Sequence, residues 1–143
     1  MIEAKAINHI GIAVRSIDAH RPYYETVVGA RFEGVEDVPT QKVRVAFFAV
    51  GPRGQEVRLE LLEPTSPESP VMRFLDQRGE GLHHVAYTVD DLPNRLKSLE
   101  HGGLRLIDAV PRPGAHGMQI AFLHPKDSGR VLTELCEPAE HAG

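Results

Sequence analysis

A chain of 143 residues can form one compact core but is short for two independent domains. Its 41 % apolar and 25 % charged residues exclude intrinsic disorder, and a net charge of −4 from interspersed charges excludes a nucleic-acid footprint or a membrane-binding tail. One cysteine, Cys136, excludes an internal disulfide, and no segment reaches the roughly eighteen apolar residues of a membrane span.

Met1–Lys5 has no leader-like apolar run, so the expected setting is the cytoplasm. Residues 6–14 alternate apolar with small or polar residues and predict a strand. A helix follows, with Ser16 or Asp18 as its cap and Pro22 in its first turn. Tyr23, Tyr24, Val27 and Val28 supply its apolar face, and Gly29 ends it. Strands are predicted over 31–38, 42–50 and 56–63. A linker rich in Pro, Ser and Thr follows, then a short helix over 69–78 with Val71, Phe74 and Leu75 inward. Another strand spans 81–89. The next helix is capped by Asp91, buries Leu92, Leu96 and Leu99, and stops at Gly102-Gly103. Strands over 104–110, 117–124 and 130–136 complete the chain. Cys136 reads as a buried, inert strand residue.

The order is a repeat. Ile7–Val14 aligns with Leu82–Val89, Val45-Ala46-Phe47 with Ile120-Ala121-Phe122, and Glu60-Leu-Leu-Glu-Pro64 with Glu134-Leu-Cys-Glu-Pro138, at a nearly constant offset of about 75 residues. The expected fold is therefore α+β: one domain over 1–143, made of two tandem βαβββ modules at about 5–63 and 80–138. Residues 64–79 join them, and the modules form a cupped mixed sheet.

The repeat pairs His9 with His84 and Glu60 with Glu134. Each histidine lies on a strand beside small same-face neighbours, Gly11 and Ala13 in the first case. Each glutamate sits among leucines, where an unpaired carboxylate is costly. If the modules pair about a pseudo-two-fold axis, the four side chains converge. Two imidazoles and two carboxylates suit Co²⁺, Mn²⁺, Ni²⁺, Zn²⁺ or Fe²⁺. A buried His–Glu cluster without metal is the alternative. His83 points to the opposite face from His84. His116 lies in the flexible Gly114–Gly117 loop, which can approach a ligand closely. His124 ends a strand, and His20, His101 and His141 read as surface residues.

These features resemble the vicinal oxygen chelate superfamily, which includes glyoxalase I, extradiol dioxygenases and bleomycin-resistance proteins. The motifs His9-Ile-Gly-Ile-Ala-Val14, Gly81-Leu-His-His-Val-Ala86, Pro111-Arg-Pro-Gly-Ala-His-Gly117 and Ile120-Ala-Phe-Leu-His-Pro-Lys126 resemble its methylmalonyl-CoA epimerases in particular. That resemblance implies interconversion of the 2R and 2S forms of methylmalonyl-CoA, with a dication, cobalt foremost, chelated by the thioester carbonyl and the free carboxylate. It implies Glu134 and Glu60 as proton-transfer groups, Gln119 near the substrate, and a homodimer; Lys126 and Arg112 are either partners of the CoA phosphates or solvated loop charges. Several members carry a further carboxylate, assigned as the second base, where this chain has Val45; valine cannot transfer a proton, so Glu60 or another group must. Asn8 replaces a frequent aspartate. A glyoxalase I and a metal-free drug-binding protein are the rival readings. A two-His-one-carboxylate dioxygenase fits the two glutamates less well.

Overall fold

The computed structural model describes residues 1–139, so His141 lies outside the described residues. The chain forms two compact units, one of His9–His83 and one of Met1–Asn8 together with the chain from His84 onward.

In the first unit, β2 (Arg31–Val38), β3 (Val43–Val50), β4 (Val57–Pro64) and β1 (Ala6–Ala13, from His9 on) lie in that order. β1 runs parallel to β4, and β3 is antiparallel to both its neighbours. Direct partners share a face, so two layers of side chains can be read from the register. Ala46, Phe48 and Leu61 face the helix side, where they pack with Val14, Ile17 and Ala30. Val45, Phe47, Glu60 and Leu62 face the other way.

Ser16 caps α1 (Ile17–Pro22) by accepting from the Ala19 amide. Pro22 ends α1 and is not in its first turn. It has no amide hydrogen for the next ladder bond, and the chain widens into a π-helical turn, Tyr23–Val28. This corrects the expected apolar face: Tyr23, Val27 and Val28 are exposed, and Tyr24 alone of the four packs on the core, against Phe48. Gly29, at φ 76°, closes the segment as expected. Ser69 caps α2 (Pro70–Arg78), whose Val71 and Leu75 are buried.

The second unit repeats the layout. β5 (Gly81–Thr88), β8 (Thr133–Pro138), β7 (Met118–Leu123) and β6 (Arg112–Pro113) lie in that order, with β5 parallel to β8 as β1 is to β4. The Lys5 amide, just before β1, donates to Thr88. Leu92, Leu96 and Leu99 on α3 (Leu92–His101) are fully buried against Val89, Ala121, Leu123 and Leu135. Each such leucine contributes about 1.5–3 kcal/mol.

Two local expectations fail in this unit. Residues 104–110 form no strand beyond a single bridge, Leu106 to Leu123. The amides of Ile107 and Asp108 both donate to the Phe122 carbonyl, and the Asp108 carboxylate accepts from the Phe122 amide at 2.9 Å. A side chain thus takes the place of a ladder partner, and regular pairing starts only at Arg112. Asp91 is not the side-chain cap of α3: its backbone is left-handed, φ 54°, and its carboxylate makes no cap bond. No helix among the described residues is long and apolar enough to cross a membrane.

Candidate metal centre

In the first unit, the parallel register sets Gly11 beside Glu60. Glycine presents no side chain on that face, and the neighbouring His9 brings its Nδ1 to 3.2 Å from Glu60 Oε2. Both residues are buried, at 5 % and 7 % exposure. Glu63 lies three residues on and so faces the opposite layer. There its carboxylate accepts from the Ile17 amide at 2.9 Å, at the start of α1.

The second unit repeats this arrangement residue for residue. Ala86 stands beside Glu134 in the register, and His84 Nε2 lies 3.3 Å from Glu134 Oε1. His84 and Glu134 are each 4 % exposed. Ala86, Ile120, Phe122 and Cys136 form an apolar layer on this face, and the Phe122 ring meets His84 edge-on, centroids 5.4 Å apart. Glu137, three residues beyond Glu134, accepts from the amides of Asp91 and Leu92 at 2.6 and 3.1 Å. The cap missing from Asp91 therefore comes from β8, whereas in the first unit Glu63 adds to the cap that Ser16 already makes.

Each pair offers an imidazole nitrogen and a carboxylate oxygen in surroundings that hold little water. A buried carboxylate needs a compensating charge. A first-row dication accepts these donor types, so the residues present fit such an ion. His9, His84 and Glu134 each present an atom able to hold one.

Residues 8–122 match the model of the glyoxalase/bleomycin resistance protein/dioxygenase superfamily. An uncharacterised protein of Bacillus subtilis is 48 % identical over 92 % of this chain and 91 % of its own. The mitochondrial methylmalonyl-CoA epimerase of Mus musculus is 35 % identical over 90 % of this chain and 71 % of its own. A Streptomyces coelicolor methylmalonyl-CoA epimerase, solved with 2-nitronate-propionyl-CoA, superposes with a TM-score of 0.90 at 35 % identity, over 99 % of both chains. The chain belongs to the methylmalonyl-CoA epimerase family of that superfamily.

As a member of the epimerase family it is an isomerase with the vicinal oxygen chelate fold. The remaining predicted residues fall in different places. Arg112 pairs with Ile120 in the register and so shares the face of Phe122 and Glu134. Its guanidinium lies 5.8 Å from the Phe122 ring and its Nε 3.3 Å from Asp108. Gln119 stands opposite Glu137, the residue turned toward α3, and this corrects its expected phase: it is on the other face from Glu134. Lys126 is exposed in the 3-10 turn Pro125–Asp127, whose amide bonds to His124 Nδ1. His116 is exposed and left-handed, φ 58°. Val45 is buried on the face of Glu60. His83 packs against Phe74, away from His84.

Sequence reasoning missed Asp108, Glu63 and Glu137. For the two glutamates a signal existed: the Glu-x-x-Glu spacing occurs at matching places in both halves, and on a strand that spacing puts one carboxylate on each face.

Proposed function

We propose that the protein interconverts the 2R and 2S forms of methylmalonyl-CoA by removing and returning the proton at C2, with a divalent metal held by His9, His84, Glu134 and Glu60. The reading rests chiefly on one observation: a buried histidine–carboxylate pair at the same register position in each half, His9 with Glu60 and His84 with Glu134. The relatives that bear the epimerase name support the substrate.

A bound dication supplies Lewis-acid stabilisation of the negative charge that develops on the thioester oxygen as C2 loses its proton. Co²⁺ is the first candidate, then Mn²⁺, Ni²⁺ and Zn²⁺. The protein's own groups do the rest. A carboxylate on one side of C2 accepts the proton, and a protonated group on the other side returns one, inverting the centre. Glu134 and Glu60 are the carboxylates that the repeat makes equivalent. Ile120 and Phe122 form an apolar layer beside Glu134 that excludes water from the transfer. Arg112 shares that face and supplies positive charge to an anionic substrate, while exposed Lys126 is suited to a phosphate as a point charge. A single cysteine, the buried Cys136, leaves the chain without an internal disulfide and supports a cytoplasmic setting, and we expect a homodimer.

The test is deuterium exchange at C2 of methylmalonyl-CoA in deuterated water, with and without chelator, beside an assay on the glutathione hemithioacetal of methylglyoxal. Chelator-sensitive exchange at C2 is the expected result. Turnover of the hemithioacetal with no C2 exchange would overturn the epimerase reading in favour of a glyoxalase.

A further inference from the structure

Inversion at carbon needs two proton-transfer groups, and in the reading above Glu60 has two duties, as ligand and as base. A further carboxylate lies on the same sheet face. Within β2 the pairing with β3 shifts after Phe32, which stands opposite Phe48, so that Gly34 stands opposite Phe47, Glu36 opposite Val45 and Val38 opposite Val43. This bulge is what re-aims the strand. Before it, Phe32 packs with Phe48 on the helix side. After it, the even-numbered residues turn to the opposite face, shared by Val45, Phe47 and Glu60.

Burial along β2 follows the same division. Val38 is buried and Glu36 is half-buried, whereas Val35 and Asp37 on the other face are exposed. Asp37 there ion-pairs with exposed Arg44. Direct partners in an antiparallel pair have Cβ atoms about 4.5–5.5 Å apart, so Glu36 begins one strand spacing from Val45 and carries its carboxylate on a flexible two-carbon stem. Arg58, on the face of His9 and Glu60, is engaged by Glu33. Glu36 is thus a carboxylate on the reactive face and outside the His9–Glu60 pair, with solvent access through its half-exposed side chain.

We propose that Glu36 is the proton-transfer group of the His9–Glu60 face, partner to Glu134, and that Glu60 serves as a ligand. The assignment rests on the epimerase reading above. In one direction the Glu134 carboxylate takes the C2 proton, and the C–H electron pair passes into the enolate. Glu36, in its acid form, gives its proton to the opposite face of C2 as that electron pair forms the new C–H bond. Glu134 ends protonated and Glu36 ionised, and exchange with solvent or the reverse reaction resets them.

The experiment compares Glu36→Gln, Glu60→Gln and the double variant Glu36→Gln with Val45→Glu. Three quantities are read on each: interconversion of the epimers, deuterium uptake from each epimer separately, and bound metal by elemental analysis. Glu36→Gln is expected to lose at least about 100-fold in interconversion. It should still exchange one epimer with retention and keep its metal. The double variant, which returns a carboxylate to the adjacent strand on the same face, is expected to regain interconversion. Glu60→Gln is expected to lose metal. Interconversion by Glu36→Gln within threefold of the parent protein, or loss of exchange from both epimers alike with metal retained, overturns the assignment. Absence of C2 exchange in the parent protein instead overturns the epimerase reading beneath it.

Discussion

Glu137 and Glu134 are three residues apart on one strand, and their removal should have opposite consequences. Glu137 is 4 % exposed and accepts the first two amides at the start of α3. Each hydrogen bond to a charged acceptor contributes about 1.5–3 kcal/mol net. Glu137→Ala leaves two helix-end amides without their acceptor, and water regains part of the loss, giving about 3–4 kcal/mol. Glu137→Gln keeps one acceptor oxygen in place and should cost about half as much. The equivalent Glu63 holds one helix-end amide, that of Ile17, beside an ion pair with exposed Arg44, and Ser16 caps α1 independently, so Glu63→Ala should also cost about half. Against a total stability of about 5–15 kcal/mol, the alanine change at 137 is large, and the melting temperature should fall by roughly 10 °C. Glu134→Gln removes a buried charge that makes no helix cap, so stability should hold within about 1 kcal/mol while interconversion of the epimers is lost. Urea unfolding with a shared m-value measures the first quantity, and interconversion of the methylmalonyl-CoA epimers measures the second. The reasoning is refuted if Glu137→Ala unfolds within 1 kcal/mol of the parent protein, or if it loses interconversion while remaining as stable.

Three further outcomes follow from the same structure. Protein purified without chelator should carry one equivalent of divalent metal per chain, and His84→Ala should carry little; elemental analysis after dialysis checks this, and unchanged content in the variant removes His84 from the ligand set. A Cβ built at Gly114 would meet the Cγ2 of buried Ile120 at 2.7 Å, so Gly114→Ala should cost about 1–3 kcal/mol in urea unfolding; a cost near zero would mean that this loop does not pack on β7. The Asp127 carboxyl is held at about 2 by hydrogen bonds from the Arg105 side chain and then its amide. Because that value is depressed in the folded state, its stabilising effect is present above the ordinary carboxylate range and fades as pH falls from about 4 through about 2. Asp127→Asn should therefore be less stable at neutral pH and converge with the parent protein near pH 2; an NMR titration midpoint near 4 would contradict the Arg105 clamp.

What the sequence revealed and what it hid divide along a physical line. The histidine–glutamate pairs were legible because duplication repeats their chemistry: a carboxylate among leucines is costly once, and its recurrence at the matching register position points to a shared cause. The α3 stripe was legible because Leu92, Leu96 and Leu99 follow helical periodicity. The contacts that were hidden are all made across the sequence. Asp91 has the residue type and position of a cap, yet its left-handed backbone leaves the amides to Glu137, on another strand. Asp108 reads as an ordinary polar residue in a strand until its carboxylate is seen to take the Phe122 amide and end the pairing. The face on which Gln119 lies depends on pairing with β8, which local alternation does not determine. The bulge in β2 acts in the same way. A period-two reading from Phe32 would carry Glu36 to the helix side, and one unpaired position reverses it. The Glu-x-x-Glu repeat joins the two kinds of information. Its odd spacing on a strand requires one carboxylate on each face, so a reader who takes the first as a ligand must find a separate partner for the second. In both units that partner is an amide at the start of the helix that follows the parallel neighbouring strand, as Ile17 and Leu92 show. One short motif therefore places a buried carboxylate on one face and anchors a helix behind the other, which is why stability and interconversion should separate between Glu137 and Glu134.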